Sequence, residues 1–367
     1  MKILKSIILL SLILTSGGLL LACGFAKNTS KENTAPTKAE TAVVTPGTTA
    51  DSDATKDLPA VINIGIIAGG PESAVLAQQK FLENLGVTAN IVTYNAGTDI
   101  NNAVVSGDVD LACFGASPIA LGIANKINYK AIFVSYLEGG NIEALVVKNA
   151  VGADTVAGLK GKKIAAPFGT TSHYALLNAL KLGGLSPSDV TLLDMGGQDI
   201  AAAWSRGDID AAYIWSPALD ECLKNEGTVL TNDGELAEQG VTIPEIAVAR
   251  TEFAKKYPDL VTEYVKALIS VYDVIKNNPD QATTDVAEWE GISSEGARGQ
   301  VTDNIWISGE DQLSADYLGT VGNIGKLADT LKTIADFHAE QGNLSSAPDL
   351  ASIQQAIDPS FAEAALK

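Results

Sequence analysis

The sequence predicts an α/β protein built from two similar lobes with a ligand cleft between them, and three observations lead there. After residue 58, short β-branched runs alternate with amphipathic stretches of helical length. Two series of these elements repeat at an offset of one hundred residues. The chain has 367 residues, 46% hydrophobic and 19% charged, so it is long enough for two domains and apolar enough to give each a core.

The elements follow in chain order. Met1, Lys2 and Lys5 give a basic start, and Ser6 to Leu21 is an apolar run broken only by small or hydroxyl residues. This predicts a secretory signal over residues 1–22, slightly short for a spanning helix. It ends Leu20-Leu21-Ala22-Cys23-Gly24, which resembles the bacterial lipobox, whose cysteine is lipidated and becomes the first residue. Residues 23–58 turn to Lys, Thr, Ala, Ser, Asp and Pro. Apart from Val43-Val44 they offer nothing to bury, so they read as a disordered tether between a lipid on Cys23 and the folded body.

The body then predicts strands at Val61–Ala68, Ala89–Tyr94, Val109–Phe114, Ala131–Tyr136 and Ala144–Val147, with helices near Glu72–Leu85 and Ile100–Ser106. A second series follows: strands at Lys163–Pro167, Val190–Leu193, Ile209–Ile214 and Thr242–Ala249, and helices at Thr171–Leu182 and Ile200–Arg206. The two series are in register. Ile64 matches Ile164, Gly97-Thr98-Asp99-Ile100 matches Gly197-Gln198-Asp199-Ile200, and Gly107-Asp108-Val109-Asp110 matches Gly207-Asp208-Ile209-Asp210. With a one-residue slip, Ser117-Pro118 matches Ser216-Pro217. A period this long is no solenoid repeat; it fits two lobes facing each other across a pocket. The expected division is residues 59–147 plus 246–367 for the first lobe and 148–245 for the second, with two chain crossings as a hinge.

Charge and composition narrow the function. A net charge of −19, from 44 acidic against 25 basic residues, opposes binding to nucleic acid. Three cysteines make no disulfide framework, and Cys113 and Cys222, placed in opposite lobes, are expected to stay unbridged. Two histidines leave little for a metal site or a catalytic triad, and no metal is expected. Gly-Asp-x-Asp lacks the rest of a calcium loop. It reads instead as a helix-ending glycine followed by acidic residues that open a strand. There is no Walker A motif, so any ATP hydrolysis belongs to another subunit.

From Gly161 to Ala218 the segments GKKIAAPFGTTSHYALLNALK and DIAAAWSRGDIDAAYIWSPAL resemble the taurine-binding proteins of bacterial ABC importers. GDVDLACFGASPIAL, GGNIEALVVK, IAVARTEFAKKYPDLV and ADTLKTIADFHAEQGN are similar to the same family, so the resemblance covers nearly everything after the tether. It implies a type 2 periplasmic-binding-protein fold, no catalysis and no cofactor. It also implies a monomer, held outside the cytoplasm by its lipid, that delivers taurine or a related small sulfonate to an ABC permease with its ATPase subunit. Two alternatives stay open. Related proteins of this fold bind other small anions or thiamine precursors, and the pyrimidine synthases are enzymes on it, although these should be cytosolic and rich in histidine.

Taurine is a short zwitterion. Its site needs oriented donors for the sulfonate, carboxylates for the ammonium and an apolar wall. Gly169-Thr170-Thr171-Ser172-His173, between a strand and a helix, is placed to offer hydroxyls and backbone N–H groups to the anion. Thr170, Thr171, Ser172 and His173 are therefore candidate contacts, although one hydroxyl is expected to cap the helix. Gly69, in Ala68-Gly69-Gly70-Pro71-Glu72-Ser73, marks the corresponding turn of the first lobe. Ser117 sits at another strand-to-helix junction as a donor, an N-cap or both. Glu143 enters an apolar strand, where an unpaired carboxylate is costly, and the resemblance implies that it faces the ligand amine. Glu245 stands where the family usually carries Asp. Trp215 is the expected apolar wall, with Trp204 a core residue and His338 on the surface of a C-terminal helix.

Overall fold

The computed structural model describes residues 41–45, 58–140 and 142–367. The signal segment, Cys23 and most of the tether lie outside the described residues. In chain order the body runs β1 (Thr41–Val44), β2 (Val61–Ile67), α1 (Pro71–Gln78), β3 (Thr88–Tyr94), α2 (Gly97–Ser106), β4 (Leu111–Gly115), α3 (Ala116–Ala124), β5 (Tyr129–Leu137) and β6 (Glu143–Lys148). It continues β7 (Lys163–Ala166), α4 (Thr171–Leu182), β8 (Thr191–Asp194), α5 (Gly197–Arg206), β9 (Ala211–Trp215), α6 (Ala218–Lys224), β10 (Gly227–Asn232), α7 (Asp233–Glu238) and β11 (Pro244–Arg250). The C-terminal third is largely helical, with α8 (Thr251–Lys256), α9 (Pro258–Asn277), α10 (Pro279–Glu290), α11 (Ser294–Thr302), β12 (Ile305–Trp306) and α12 (Gly309–Gln312). A small hairpin of β13 (Gly319–Thr320) and β14 (Asn323–Ile324) then leads to α13 (Leu327–Glu340), α14 (Leu350–Gln355) and α15 (Ser360–Ala365).

Two mixed sheets form the lobes. The first has the order β1-β3-β2-β4-β11-β5-β12 and the second β10-β6-β9-β7-β8. The hundred-residue repeat holds at the level of single hydrogen-bonded partners. Ile64 pairs with Leu111 and Gly65 with Ala112 in one lobe; Ile164 pairs with Ala211 and Ala165 with Ala212 in the other. Gly107 and Gly207 both end their helices in the left-handed region, at φ 83° and 80°, where a side chain would be strained. Asp110 and Asp210 have one structural task between them: their carboxylates accept the backbone N–H groups of Asn63 and Lys163 at 3.1 and 2.8 Å. The Gly-Asp-x-Asp motif therefore locks each helix-to-strand turn onto the neighbouring strand.

Three expectations need correction. The tether is not wholly without structure, because Thr41–Val44 pairs antiparallel with β3 as an edge strand, with Ala42 and Val44 packed against the core. The lobe boundary falls earlier than Val147: β6 pairs with β9 and β10 in the second sheet, so the first crossing lies between Leu137 and Glu143. The return crossing precedes Pro244, since β11 inserts between β4 and β5. The two crossings touch, with Glu138 N–H donating to the Ile243 carbonyl at 2.8 Å. Finally, the helix expected over Glu72–Leu85 stops at Gln78; Lys80 takes φ 58° and a 3₁₀ turn covers Phe81–Leu85.

Cys113 on β4 and Cys222 on α6 are both buried and free, each in its own lobe. Helix α13 touches both lobes. His338 reaches Ser117 of α3, and Phe337 meets Tyr174 of α4 edge-on with ring centroids 5.1 Å apart.

Candidate ligand-binding site

The lobes close on each other where glycines leave room. Gly69, at φ 92°, sits so close to the second lobe that an added Cβ would lie 2.4 Å from the Ser216 carbonyl oxygen. A Cβ on Gly115 would fall 2.3 Å from Thr171 Cγ2 across the same seam. Trp215 fastens it, its indole N–H donating to the Ala68 carbonyl at 2.9 Å. Between these contacts lies a cavity of about 40 Å³, room for a few non-hydrogen atoms. Gly69, Gly70, Gly97, Gly115 and Pro118 wall it from the first lobe, and Thr170, Thr171 and Trp215 from the second. Ile142, Glu143, Glu138, Tyr136 and Glu245 come from the hinge strands and their flanks.

Of the residues expected from sequence, the structure brings together Gly69, Glu143, Thr170, Thr171, Trp215 and Glu245. It separates three others. Ser117 is fully buried in the first lobe, its hydroxyl 2.8 Å from His338 Nε2. His338 is correspondingly not a surface residue but fully buried, with Asn343 at 3.2 Å from its Nδ1. This network assigns the Nε2 proton as donated to Ser117. Ser172 is fully buried and does not line the cavity, although its hydroxyl acts on the Glu143 carboxyl, and His173 packs flat on Phe168 while its Nδ1 accepts from Gly169 N–H at 3.3 Å. Burial holds both imidazoles near a pKa of about 4, so both are neutral at ordinary pH. Trp204 is the core residue expected, 1% exposed, with its indole N–H on the Asn225 carbonyl.

The start of α4 also works differently from the expectation of donating hydroxyls. Thr170 is the N-cap: its Oγ1 accepts from His173 N–H at 3.4 Å and donates to the Pro167 carbonyl at 2.6 Å. Thr171 Oγ1 donates to Glu143 Oε1 at 2.6 Å. Both hydroxyl protons are therefore committed within the protein. The turn offers instead the N–H groups of Thr171 and Ser172, which precede the first intrahelical bonds, together with the positive end of the helix dipole.

Beside this helix start the cavity is strongly acidic, with Glu143 in direct contact with Thr171. Among the described residues no lysine or arginine lines it, while Glu138, Glu143 and Glu245 do, each at most 6% exposed. Burial, followed by the neighbouring Asp233 charge, pushes the Glu143 carboxyl well above the usual range, with the Thr171 hydroxyl pulling the other way. Burial and the charges of Glu72 and Glu143 do the same to Glu245. Sequence reasoning missed Glu138, Asp233 and the role of Glu72. Glu138 carried a legible signal, an acidic residue ending an apolar strand just as Glu143 begins one. Glu72 and Asp233 open helices, where an acidic residue is ordinary.

A two-lobed fold with a small cavity at its hinge, lined by a helix start and buried carboxyls, is the architecture of a solute-binding protein. The chain belongs to the NMT1/THI5-like family, whose pattern matches residues 73–282. It is 32% identical to the taurine-binding periplasmic protein of Escherichia coli (strain K12) over 280 residues, 75% of this chain and 84% of that one. Its fold is that of the alkanesulfonate-binding protein SsuA from Xanthomonas axonopodis pv. citri, at a TM-score of 0.66 and 20% identity, covering 82% of this chain and 98% of that one. The desulfurization enzyme DSZB shares the fold at a TM-score of 0.61 and 16% identity, covering 84% and 99%. The fold thus carries binding proteins and at least one enzyme, and the site must decide between them.

Proposed function

We propose that this protein is an extracytoplasmic, lipid-anchored receptor that binds taurine or a related small aminosulfonate and delivers it to an ABC permease, without catalysis. One observation carries the reading. Thr170 and Thr171 at the start of α4 and the buried carboxyls of Glu143 and Glu245 line one cavity, a combination that suits a zwitterion whose nitrogen and sulfur are separated by two carbons. The similarity to a taurine-binding protein over three quarters of the chain supports the same ligand class. A hydrolytic enzyme would need a nucleophile beside a base. The two histidines do not line the cavity, and neither does either described cysteine.

The amine end should set selectivity. Ethanesulfonate lacks the ammonium and would leave buried carboxylates unpaired. Hydrogen bonds to charged groups are worth about 1.5–3 kcal/mol, so taurine should bind at least about tenfold more tightly, roughly 1.4 kcal/mol. Glu143→Gln retains an acceptor for the Thr171 hydroxyl and removes the charge, so the preference should shrink or reverse. Calorimetry of both ligands against the two proteins decides it. An unchanged preference would make Glu143 structural and remove the amine site.

A further inference from the structure

A second set of carboxylates lies at the hinge, and Glu143 is only its rim. Glu138 follows β5 at the first crossing, Glu143 opens β6 beyond that crossing, and Asp233 opens α7 in the second lobe. One carboxylate oxygen from each lies within 4.8 Å of the other two. All three side chains are at least 95% buried, at 5%, 5% and 1% exposure. Each also keeps an oxygen with no hydrogen-bond partner: Glu138 Oε2, Glu143 Oε2 and Asp233 Oδ2. Two of the three groups are held in place from behind. Thr171 Oγ1 donates to Glu143 Oε1 at 2.6 Å, and the Tyr213 hydroxyl donates to Asp233 Oδ1 at 2.7 Å.

Three buried carboxyls whose nearest oxygens lie within 4.8 Å of one another are costly to ionise together unless a shared proton, such as one between Glu138 and Asp233, or a positive charge meets them. Oriented oxygen ligands braced by hydroxyls from a second layer are the construction expected around a hard cation, and no nitrogen or sulfur donor in the cluster favours a softer metal. We propose that Glu138, Glu143 and Asp233 form a divalent-cation site for Ca²⁺ or Mg²⁺ at the hinge, beside the ligand cavity. Its ligands come from both sides of the first crossing, so an ion there ties the two lobes at the point about which they would turn. Such an ion would also offset the charge that the cavity walls present to an incoming anion. Glu143 is also the carboxylate proposed for the ligand ammonium, so this inference bears on the amine end of that reading, and an ion and an ammonium would share that side chain.

The test uses the whole protein, stripped with a chelator and then dialysed. Calorimetry with CaCl₂ or MgCl₂ should give one ion per chain. Tb³⁺ should give sensitised emission, because Tyr213 hydrogen-bonds a ligand and Trp215 lies across the cavity. Glu138→Gln and Asp233→Asn, each close in shape to the residue replaced, should weaken binding by at least about tenfold. Melting in chelator should show both variants folded. The absence of heat and of Tb³⁺ emission with the wild-type protein would overturn the proposal, and that result needs no variant to fold. Equal ion binding by wild type and both variants would also overturn it. So would a third pattern, in which no metal binds yet Glu138→Gln weakens taurine, because the cluster would then serve a ligand amine alone.

Discussion

The strand-to-helix turns that follow β2 and β7 occupy the same place in the two copies of the repeat, and their chemistry is opposite. After β7, Thr170 caps α4 with its hydroxyl, and the first turn of the helix carries Thr171 and Ser172 and no acidic residue. After β2, Gly70 and Pro71 lead into α1, and Glu72 stands in the first turn, 1% exposed, with Oε1 accepting from Ser73 and Oε2 unpaired. A helix start can hold an anion only if it has not already been given one. The α4 turn has hydroxyls but no carboxyl of its own and reaches Glu143 through Thr171, whereas the α1 turn carries its own carboxyl, Glu72, an oxygen of which lies within 4.8 Å of Cys113 Sγ and a Glu245 carboxyl oxygen. The duplicated frame therefore diverges at these two helix starts, with hydroxyls in the first turn of α4 and a buried carboxyl in the first turn of α1.

That comparison can be broken at several points. The largest effect is expected where the two turns must approach. In Gly115→Ala the new Cβ would collide with Thr171 Cγ2 of the α4 turn, and neither strand nor helix can retreat without repacking. Ligand affinity should fall by about a hundredfold, roughly 2.7 kcal/mol, while the ligand-free protein melts nearly as wild type. Scattering should show that saturating ligand no longer reduces the radius of gyration. Wild-type affinity in this variant would mean that the lobes do not need the contact.

A smaller effect should come from making the α1 turn chargeless. Burial raises the Glu72 carboxyl pKa, with the Ser73 hydroxyl opposing. The folded state therefore holds a proton that the unfolded chain releases above the ordinary carboxylate value of 4.5. The stability linked to this group is fully present below that value and is lost as pH rises through the raised native one. Glu72→Gln cannot ionise, and it keeps an acceptor for Ser73. Its melting temperature relative to wild type should rise between pH 5 and pH 8, by about 2–4 °C for each kcal/mol recovered. A difference that stays flat with pH would show that Glu72 is not a buried ionisable group.

The smallest effect should fall on the repeat's other divergence. Ser117 and Ser216 match in sequence, yet Ser117 is bound to His338 while Ser216 presents its carbonyl to Gly69. Burial, with a small contribution from His173, holds His338 near a pKa of about 4, below its ordinary 6.5. The unfolded chain gains a proton first, so this part of the stability is present above pH 6.5 and is lost as pH falls toward 4. His338→Gln should give a shallower decline of melting temperature across that window. An equally steep decline would locate the acid sensitivity elsewhere.

Much of the frame was legible in the residues because it rests on local rules and on repetition. The alternation of β-branched runs gave β2 to β9 and β11 within a few residues. The helix-ending Gly107 and Gly207 and the matching Gly-Asp-x-Asp motifs placed the two copies in register. Strands β1 and β10 escaped because each is an edge strand that depends on a neighbour for its pairing: β1 lies on β3, and β10 on β6. Of the residues that line the cavity, Glu143, Glu245, Thr170, Thr171 and Trp215 could be read from their positions at strand and helix ends.

The sequence by itself determined the repeat, the class of fold and the residues available at the mouth of the cleft, since all of these follow from spacing along the chain. Only the tertiary structure decided which way those residues face. It buried Ser117 against His338, 221 residues away, and turned the two threonine hydroxyls onto Pro167 and Glu143. It also gathered Glu138, Glu143 and Asp233 from three elements into one cluster. The physical reason is that side-chain direction at the end of an element is set by what packs against it, and those partners come from the other lobe, the hinge and the C-terminal helices.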